Sequence, residues 1–267
     1  MSGRSSPSRL QALQGAGFEC VPGRFERPAD AWEAARELID PVAGSDAPVE
    51  VIGDFLLPAP DGPPTRDFQT LHIDFGLPLI PDAPGDVARF TALHVTADAA
   101  PGCAATRLVS LSALFRARRW ADRDELLRRF AAYGDSHGAW ENEPGYVEGS
   151  LARIVEAAQG LPPVLPSVKT TSGFRCGLEF ACLEDEYAFF AQRGLPVRAV
   201  EREVLLAPGQ LLVFDNLTVA HGRRGRRQPG ELHQRVFGHR ALAASQQARL
   251  RDRALTALTG LGSLHPT

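Results

Sequence analysis

The chain has 267 residues, 44% of them hydrophobic and 23% charged, with a formal net charge of −3. That length can bury a full core as one domain over residues 1–267, and the weakly acidic balance argues against charge-driven binding to nucleic acid or a membrane surface. No apolar run reaches the roughly 18 residues of a membrane span, and MSGRSSPSRLQALQGAG lacks the apolar stretch of a secretion signal.

Residues 1–8 are rich in Ser, Gly and Arg and are expected to be mobile. A helix is predicted over about 30–40: Asp30 caps it, Glu33 completes a capping box, and Trp32, Ala35, Leu38 and Ile39 form one apolar face. VEVIGDFLL reads as a strand, followed by the loop PAPDGPPT that no helix could cross. Further strands are predicted at Phe68–Phe75, Ala88–Thr96 and Ala105–Leu111. A helical insert then covers about 112–195. RDELLRRFAAY and VEGSLARIVEAAQG have helical periodicity, the second ending on Gly160, and Leu183–Arg193 is a helix closed by Gly194. Between the first two lies GDSHGAWENEPG, a polar stretch suited to a lid. Strands resume with AVEREVLLA, GQLLVFDN and ELHQRVFGHRAL, and a last helix covers about 244–258. This order indicates a mainly β chain with inserted helices, a sandwich or jelly-roll core over about 50–241, and not a doubly wound sheet. Cys20, Cys103, Cys176 and Cys182 show no metal-like spacing and read as reduced thiols, mostly core, of a cytoplasmic protein.

Two histidines and an aspartate carry the chemistry. In FQTLHIDFG, strand alternation puts Phe68, Thr70, His72 and Asp74 on one face, so His72 and Asp74 can take adjacent positions on one metal. A plain His–Asp hydrogen bond would give the same spelling. His221 closes the apolar segment LLAPGQLLVFDNLTVAH and precedes Gly222, which lets its imidazole face inward where backbone crowds another group. Two His and one carboxylate are the ligand set that holds Fe(II) on one face and leaves the other open. Fourteen residues after His221 comes Arg235. On a strand His233, Arg235, Phe237 and His239 share a face opposite Arg240, and a buried Arg235 needs an anion, either a co-substrate carboxylate or an internal Asp or Glu.

In order and context, LHIDFG, LLAPGQLLVFDNLTVAHGRRG and the Arg fourteen positions on resemble the taurine dioxygenase/clavaminate synthase-like superfamily across about residues 66–241. The resemblance implies a double-stranded β-helix fold and an Fe(II)- and 2-oxoglutarate-dependent oxygenase. In that reading His72, Asp74 and His221 bind iron, and Arg235 binds the distal carboxylate of 2-oxoglutarate with help from Thr106 in AATRLVSLSAL. The reaction consumes O2, releases succinate and CO2, and by default hydroxylates a small molecule. Related halogenases carry a small residue at the carboxylate position, so Asp74 argues against halogenation.

Four residues are weaker substrate candidates: Gln69, three before His72; His137 in the polar stretch; and Lys169 and Arg175 in PSVKTTSGFRCG. Each has an ordinary alternative as a strand-end or surface side chain. His94 reads as core, and the run Arg223, Arg224, Arg226, Arg227 reads as a solvated turn with one Arg at most near the pocket. The competing readings are a nucleic-acid or protein hydroxylase or demethylase with the same iron chemistry, and a non-catalytic jelly-roll binding protein. The partners expected are a free amino acid or amino-acid-like substrate and O2, with no nucleic acid and no membrane; a homo-oligomer is left open.

Overall fold

The computed structural model describes residues 7–43, 48–58, 67–74, 87–100, 104–116, 123–137, 149–160, 180–240 and 242–259. In chain order these form α1 (Pro7–Gly15), β1 (Phe18–Val21), α2 (Pro28–Ala43), β2 (Glu50–Leu57), β3 (Phe68–Ile73), β4 (Val87–Val95) and β5 (Ala105–Ser110). There follow α3 (Leu111–Phe115), α4 (Arg123–His137), β6 (Gly149–Ser150), α5 (Leu151–Gln159), α6 (Leu183–Gln192) and α7 (Val197–Val200). The last are β7 (Arg202–Val204), β8 (Leu211–Asp215), β9 (Val219–Arg224), β10 (Leu232–His239) and α8 (Ala244–Thr259). No helix among the described residues is long and apolar enough to cross a membrane.

The strands build two antiparallel five-stranded sheets, one in the order β1-β8-β4-β10-β2 and the other β6-β3-β9-β5-β7. From β3 to β5 and again from β8 to β10 the chain switches sheet at each connection. The inner faces share one apolar cluster: Leu93, Leu212, Phe214 and Leu232 of the first sheet meet Leu108 and Val219 of the second. The outer face of the first sheet (Phe90, Ala92, Leu211, Val213, Phe237) lies under Leu13 of α1 and Trp32, Ala35, Leu38 and Ile39 of α2. The outer face of the second (Leu71, Ile73, Val109) is covered by α3, α4, α5, α6 and α8. The central strands of both sheets are therefore buried on both faces, and polar side chains between the sheets need partners.

Several elements differ from the sequence expectation. α2 starts at Pro28, whose fixed φ suits a first helical position, so Asp30 sits in the first turn and accepts two bonds from Arg27 (2.9 and 2.5 Å) instead of capping. The helix also runs past Asp40 through Pro41 to Ala43. Pro7 and Ser8, expected in a mobile tail, belong to α1; this helix is short and has little apolar bias, so periodicity does not reveal it. AVEREVLLA is split because Pro196 opens a helical turn, with Ala199 and Val200 donating to its carbonyl (2.9 and 3.2 Å), which leaves only Arg202–Val204 as strand. α4 reaches His137 and absorbs the first residues of the polar stretch, while 138–148 lie outside the described residues. Cys20 and Cys182 are exposed, not core, and Cys103 and Cys176 lie outside the described residues. Gly160 and Gly194 do close their helices, with φ of 66° and 67°, values that suit glycine.

Candidate metal centre

β9 lies between β3 and β5, and its pairing with β3 puts His221 directly opposite His72. That close pairing depends on Gly222, where a Cβ would sit 2.7 Å from the Gln69 carbonyl oxygen and 3.0 Å from that of Thr70. Asp74 follows β3 by one residue, so alternation returns its side chain to the face of His72, while Leu71 and Ile73 go to the outer cluster. Phe68 was expected on the His72 face. A register shift between Gln69 and His72 sends it outward instead, into the cluster with Leu71 and Ile73.

His72, Asp74 and His221 are all buried, and one ligand atom from each lies within 4.8 Å of the others. His72 Nε2 is 3.6 Å from Asp74 Oδ1, and His221 Nε2 is 3.5 Å from Asp74 Oδ2. The two imidazoles are 4.2 Å apart between centroids, and Phe214 of β8 packs on His221 at 4.6 Å. Both sheets thus enclose the centre.

The surrounding groups fix each ligand. His72 Nδ1 is 2.9 Å from the Thr70 carbonyl, which can only accept, so the proton sits on Nδ1 and Nε2 keeps its lone pair toward Asp74. Asn216 clamps the aspartate backbone twice, donating from Nδ2 to the Asp74 carbonyl (2.7 Å) and accepting the Asp74 N–H (2.9 Å). The Thr91 hydroxyl of β4 and Gln234 Nε2 of β10 donate to Asp74 Oδ2 at 3.1 and 2.8 Å. Burial pushes the Asp74 carboxyl up, but His221, His72 and the Thr91 hydrogen bond outweigh it and hold the group at about 2. Burial, then His72, drives His221 down to about 3 against the pull of Asp74. A neutral imidazole beside an ionised carboxylate is the state a divalent cation requires. His221 Nδ1 is buried without a hydrogen-bond partner, so hydrogen bonding alone does not account for the ring's place.

Behind the centre, on the other face of β5, the guanidinium of Arg107 is fully buried and bonds Glu186 and Glu201, both at 2.7 Å. Glu186 in turn accepts the Leu71 N–H at 2.7 Å, which ties β3 beside His72 to α6. Burial raises the Glu186 carboxyl above its ordinary range, against the pull of Arg107.

Arg235 does not share this cavity. β10 turns Gln234 to Asp74 and Arg235 to the opposite face, where Arg235 pairs with Asp54 and its guanidinium lies 4.7 Å from the Trp32 ring centroid. The internal-carboxylate alternative describes Arg235, with its side chain 24% exposed in a groove of about 900 Å³ that also includes Glu33, Glu37 and His233. His233, Arg235 and Phe237 do share one face of β10, as expected, but it is the face under α2 and not the metal side. Thr106 is buried, and its hydroxyl oxygen accepts from Arg227 Nη2 at 3.1 Å. Arg227 also approaches Glu231 at 3.4 Å, and Arg223, opposite Thr106 across β5 and β9, is buried too. The run read as a solvated turn therefore buries two of its four arginines.

Gln69 is half-buried in β3, and its carbonyl accepts from Arg107 at 3.3 Å. His137 ends α4, but its side chain lies outside the described set, as do Lys169 and Arg175. His94 is fully buried, with Nε2 3.0 Å from the Phe25 carbonyl. Sequence reading missed Thr91, Asn216 and Gln234, and set Arg227 in a solvated turn with one Arg at most near the pocket. Thr91 stands between Phe90 and Ala92, a weak signal at most, and Gln234 lies between His233 and Arg235 and carries none.

No protein-family model matches the chain, and no curated protein sequence does. Solved structures overlap with it loosely. AAD-2 in complex with Mn(II) and N-oxalylglycine is 12% identical, covering 90% of this chain and 92% of its own at a TM-score of 0.43. PvcB from Pseudomonas aeruginosa is 16% identical, covering 86% and 80% at 0.42. A taurine dioxygenase from Burkholderia xenovorans is 12% identical, covering 91% and 86% at 0.40. At such TM-scores the overlap lends no weight to fold or chemistry, which stand on the strands and side chains above.

Proposed function

We propose that the chain is an Fe(II)- and 2-oxoglutarate-dependent oxygenase that oxidises a small, amino-acid-like molecule, on a core that is one double-stranded β-helix. The observation that carries this reading is the buried His72–Asp74–His221 set between two sheets, with imidazole nitrogens 3.6 and 3.5 Å from the two carboxylate oxygens. Its donors fit a divalent cation of the iron type: two neutral nitrogens, one anionic oxygen and a dry apolar wall at Phe214. Fe(II) bound there with 2-oxoglutarate and O2 would supply the oxidant for an unactivated C–H bond, with succinate and CO2 released.

The chain's own residues orient and shield. The Thr70 carbonyl sets the His72 tautomer, Asn216 holds the Asp74 backbone, and Thr91 and Gln234 hold its carboxylate. The distal carboxylate of 2-oxoglutarate is assigned to Thr106 and Arg227 in place of Arg235. Arg227 is buried beside the Thr106 hydroxyl, where a guanidinium and a hydroxyl can bond one carboxylate together.

The test has two parts. Mn(II) should bind the parent chain at one site and bind His221→Ala far more weakly, with the fold intact by circular dichroism. Fe(II)-loaded parent should convert 2-oxoglutarate to succinate with O2 uptake, stimulated by a member of a panel of free amino acids. A chain that binds no Mn(II), or a His221→Ala variant that binds it as tightly as the parent, rejects the assignment.

A further inference from the structure

Where β4 begins and β8 and β10 end, two buried polar side chains lack the partners that buried groups normally find. Arg89 of β4 is 5% exposed, and its Nε is buried without a hydrogen bond. Asp215 Oδ2 lies 3.9 Å from that nitrogen, beyond hydrogen-bond reach, and is already taken by Nε and Nη2 of Arg253 at 3.1 and 2.6 Å. His239 of β10 is 4% exposed, close enough to Arg89 to feel its charge, and its ring nitrogens have no partner beyond the nearby Pro48 backbone. Two guanidiniums on one carboxylate leave a positive charge uncompensated, and a buried charge left so is costly.

The cluster is linked to the metal ligands through β4 and Asn216. Arg89 stands two residues before Thr91, the residue that bonds Asp74 Oδ2, a distance of about 7 Å along a strand. Asn216 links the two places directly: its N–H donates to the Arg89 carbonyl at 2.9 Å while its side chain clamps the Asp74 backbone. The Thr106–Arg227–Glu231 group lies at the other end of β4, where Thr96 donates to the Glu231 carbonyl at 3.0 Å. An anion at Arg89 and one at Arg227 would thus sit toward opposite ends of β4, with Thr91 and its bond to Asp74 between them.

We infer that Arg89 and His239 seat the anionic group of the substrate, a small organic acid whose carboxylate or similar group lies a few bonds from the carbon to be oxidised. This rests on the oxygenase reading and adds to it the substrate's charge and its anchor. A guanidinium with an unpaired N–H can bond an oxygen of an anion, and the neighbouring imidazole adds a bond where its single N–H turns from Pro48 to the anion. Asp215, held by Arg253, keeps the seat from collapsing onto an internal carboxylate.

Methanesulfonate, a poor metal ligand, is a suitable probe. Saturation-transfer NMR on the full chain, with and without Zn(II), should detect it in the parent, lose at least tenfold in affinity in Arg89→Gln, and keep it in Arg235→Gln, in the outer groove. Binding retained in Arg89→Gln, or lost in Arg235→Gln instead, overturns the proposal. If Arg89→Gln does not fold, Arg89→Lys replaces it: affinity several-fold weaker supports the seat, and unchanged affinity removes it. Mn(II) in place of Zn(II) should broaden the probe's methyl resonance, and a protein that binds both without broadening refutes a seat beside the metal. Binding through Arg89 in a chain that takes up no Mn(II) would leave the seat standing while the oxygenase reading falls.

Discussion

Replacing Gln234 by Leu removes one of two side chains that donate to Asp74 Oδ2, while keeping the size and the strand position. A hydrogen bond to a charged group contributes about 1.5–3 kcal/mol. Gln234 is only part-buried, so water recovers about half of that. The remaining loss of about 1–1.5 kcal/mol corresponds to roughly a tenfold weaker metal site, at the low end of what second-sphere changes cost. Adding Thr91→Val strips the oxygen of both donors and should take the loss toward a hundredfold. Mn(II) titration by electron paramagnetic resonance reads this directly, with thermal unfolding as the control for stability. If Gln234→Leu binds Mn(II) as the parent does, Asp74 is oriented by its backbone clamp to Asn216 alone and the role given to Gln234 is wrong.

Three further outcomes are expected. Arg227→Gln and Thr106→Val should each raise the Michaelis constant for 2-oxoglutarate at least tenfold with little change in kcat, whereas Arg235→Lys should leave it unchanged; the reverse pattern would restore Arg235. Arg107→Met leaves Glu186 buried and unpaired, at a cost of about 3–5 kcal/mol measured by chemical unfolding. Burial already raises the Glu186 carboxyl, and losing Arg107 raises it further. A folded-state pKa above the unfolded one favours folding below the unfolded value and is penalised as pH rises, so the deficit should shrink from pH 8 toward pH 5; a deficit that grows on acidification contradicts this. Gly222→Ala places a Cβ 2.7 Å from the Gln69 carbonyl oxygen, which should cost about 1–3 kcal/mol and weaken Mn(II) binding by moving β9 from β3; a variant with parental stability and affinity would show that the strands can yield.

Much of the centre was legible because it depends on short-range alternation. His72 and Asp74 are two residues apart, so a strand must put them on one face, and Gly222 marks the spot where β9 comes closest to β3. Gly160 and Gly194 end their helices through a backbone preference that is local. That His233, Arg235 and Phe237 share a face of β10 was legible, but which face meets the metal was not. A bulge is a mismatch in residue count between two paired strands, so the shifts after Gln69, Val236 and Phe237 exist only once β3 meets β9 and β10 meets β2 and β4. The shift within β3 reverses its facing and turns Phe68 outward, whereas Arg235 turns outward by plain alternation because Gln234 beside it reaches Asp74.

The chain alone therefore determined which residue types could hold a metal, and that strands would carry them. Tertiary pairing decided which charges were buried: Arg227 beside Thr106, 121 positions away, and Arg89 beside an aspartate already held by Arg253. A run of arginines near a turn looks solvated until a distant strand closes over it. The cost of burying a guanidinium depends on the partners that long-range contacts bring within reach.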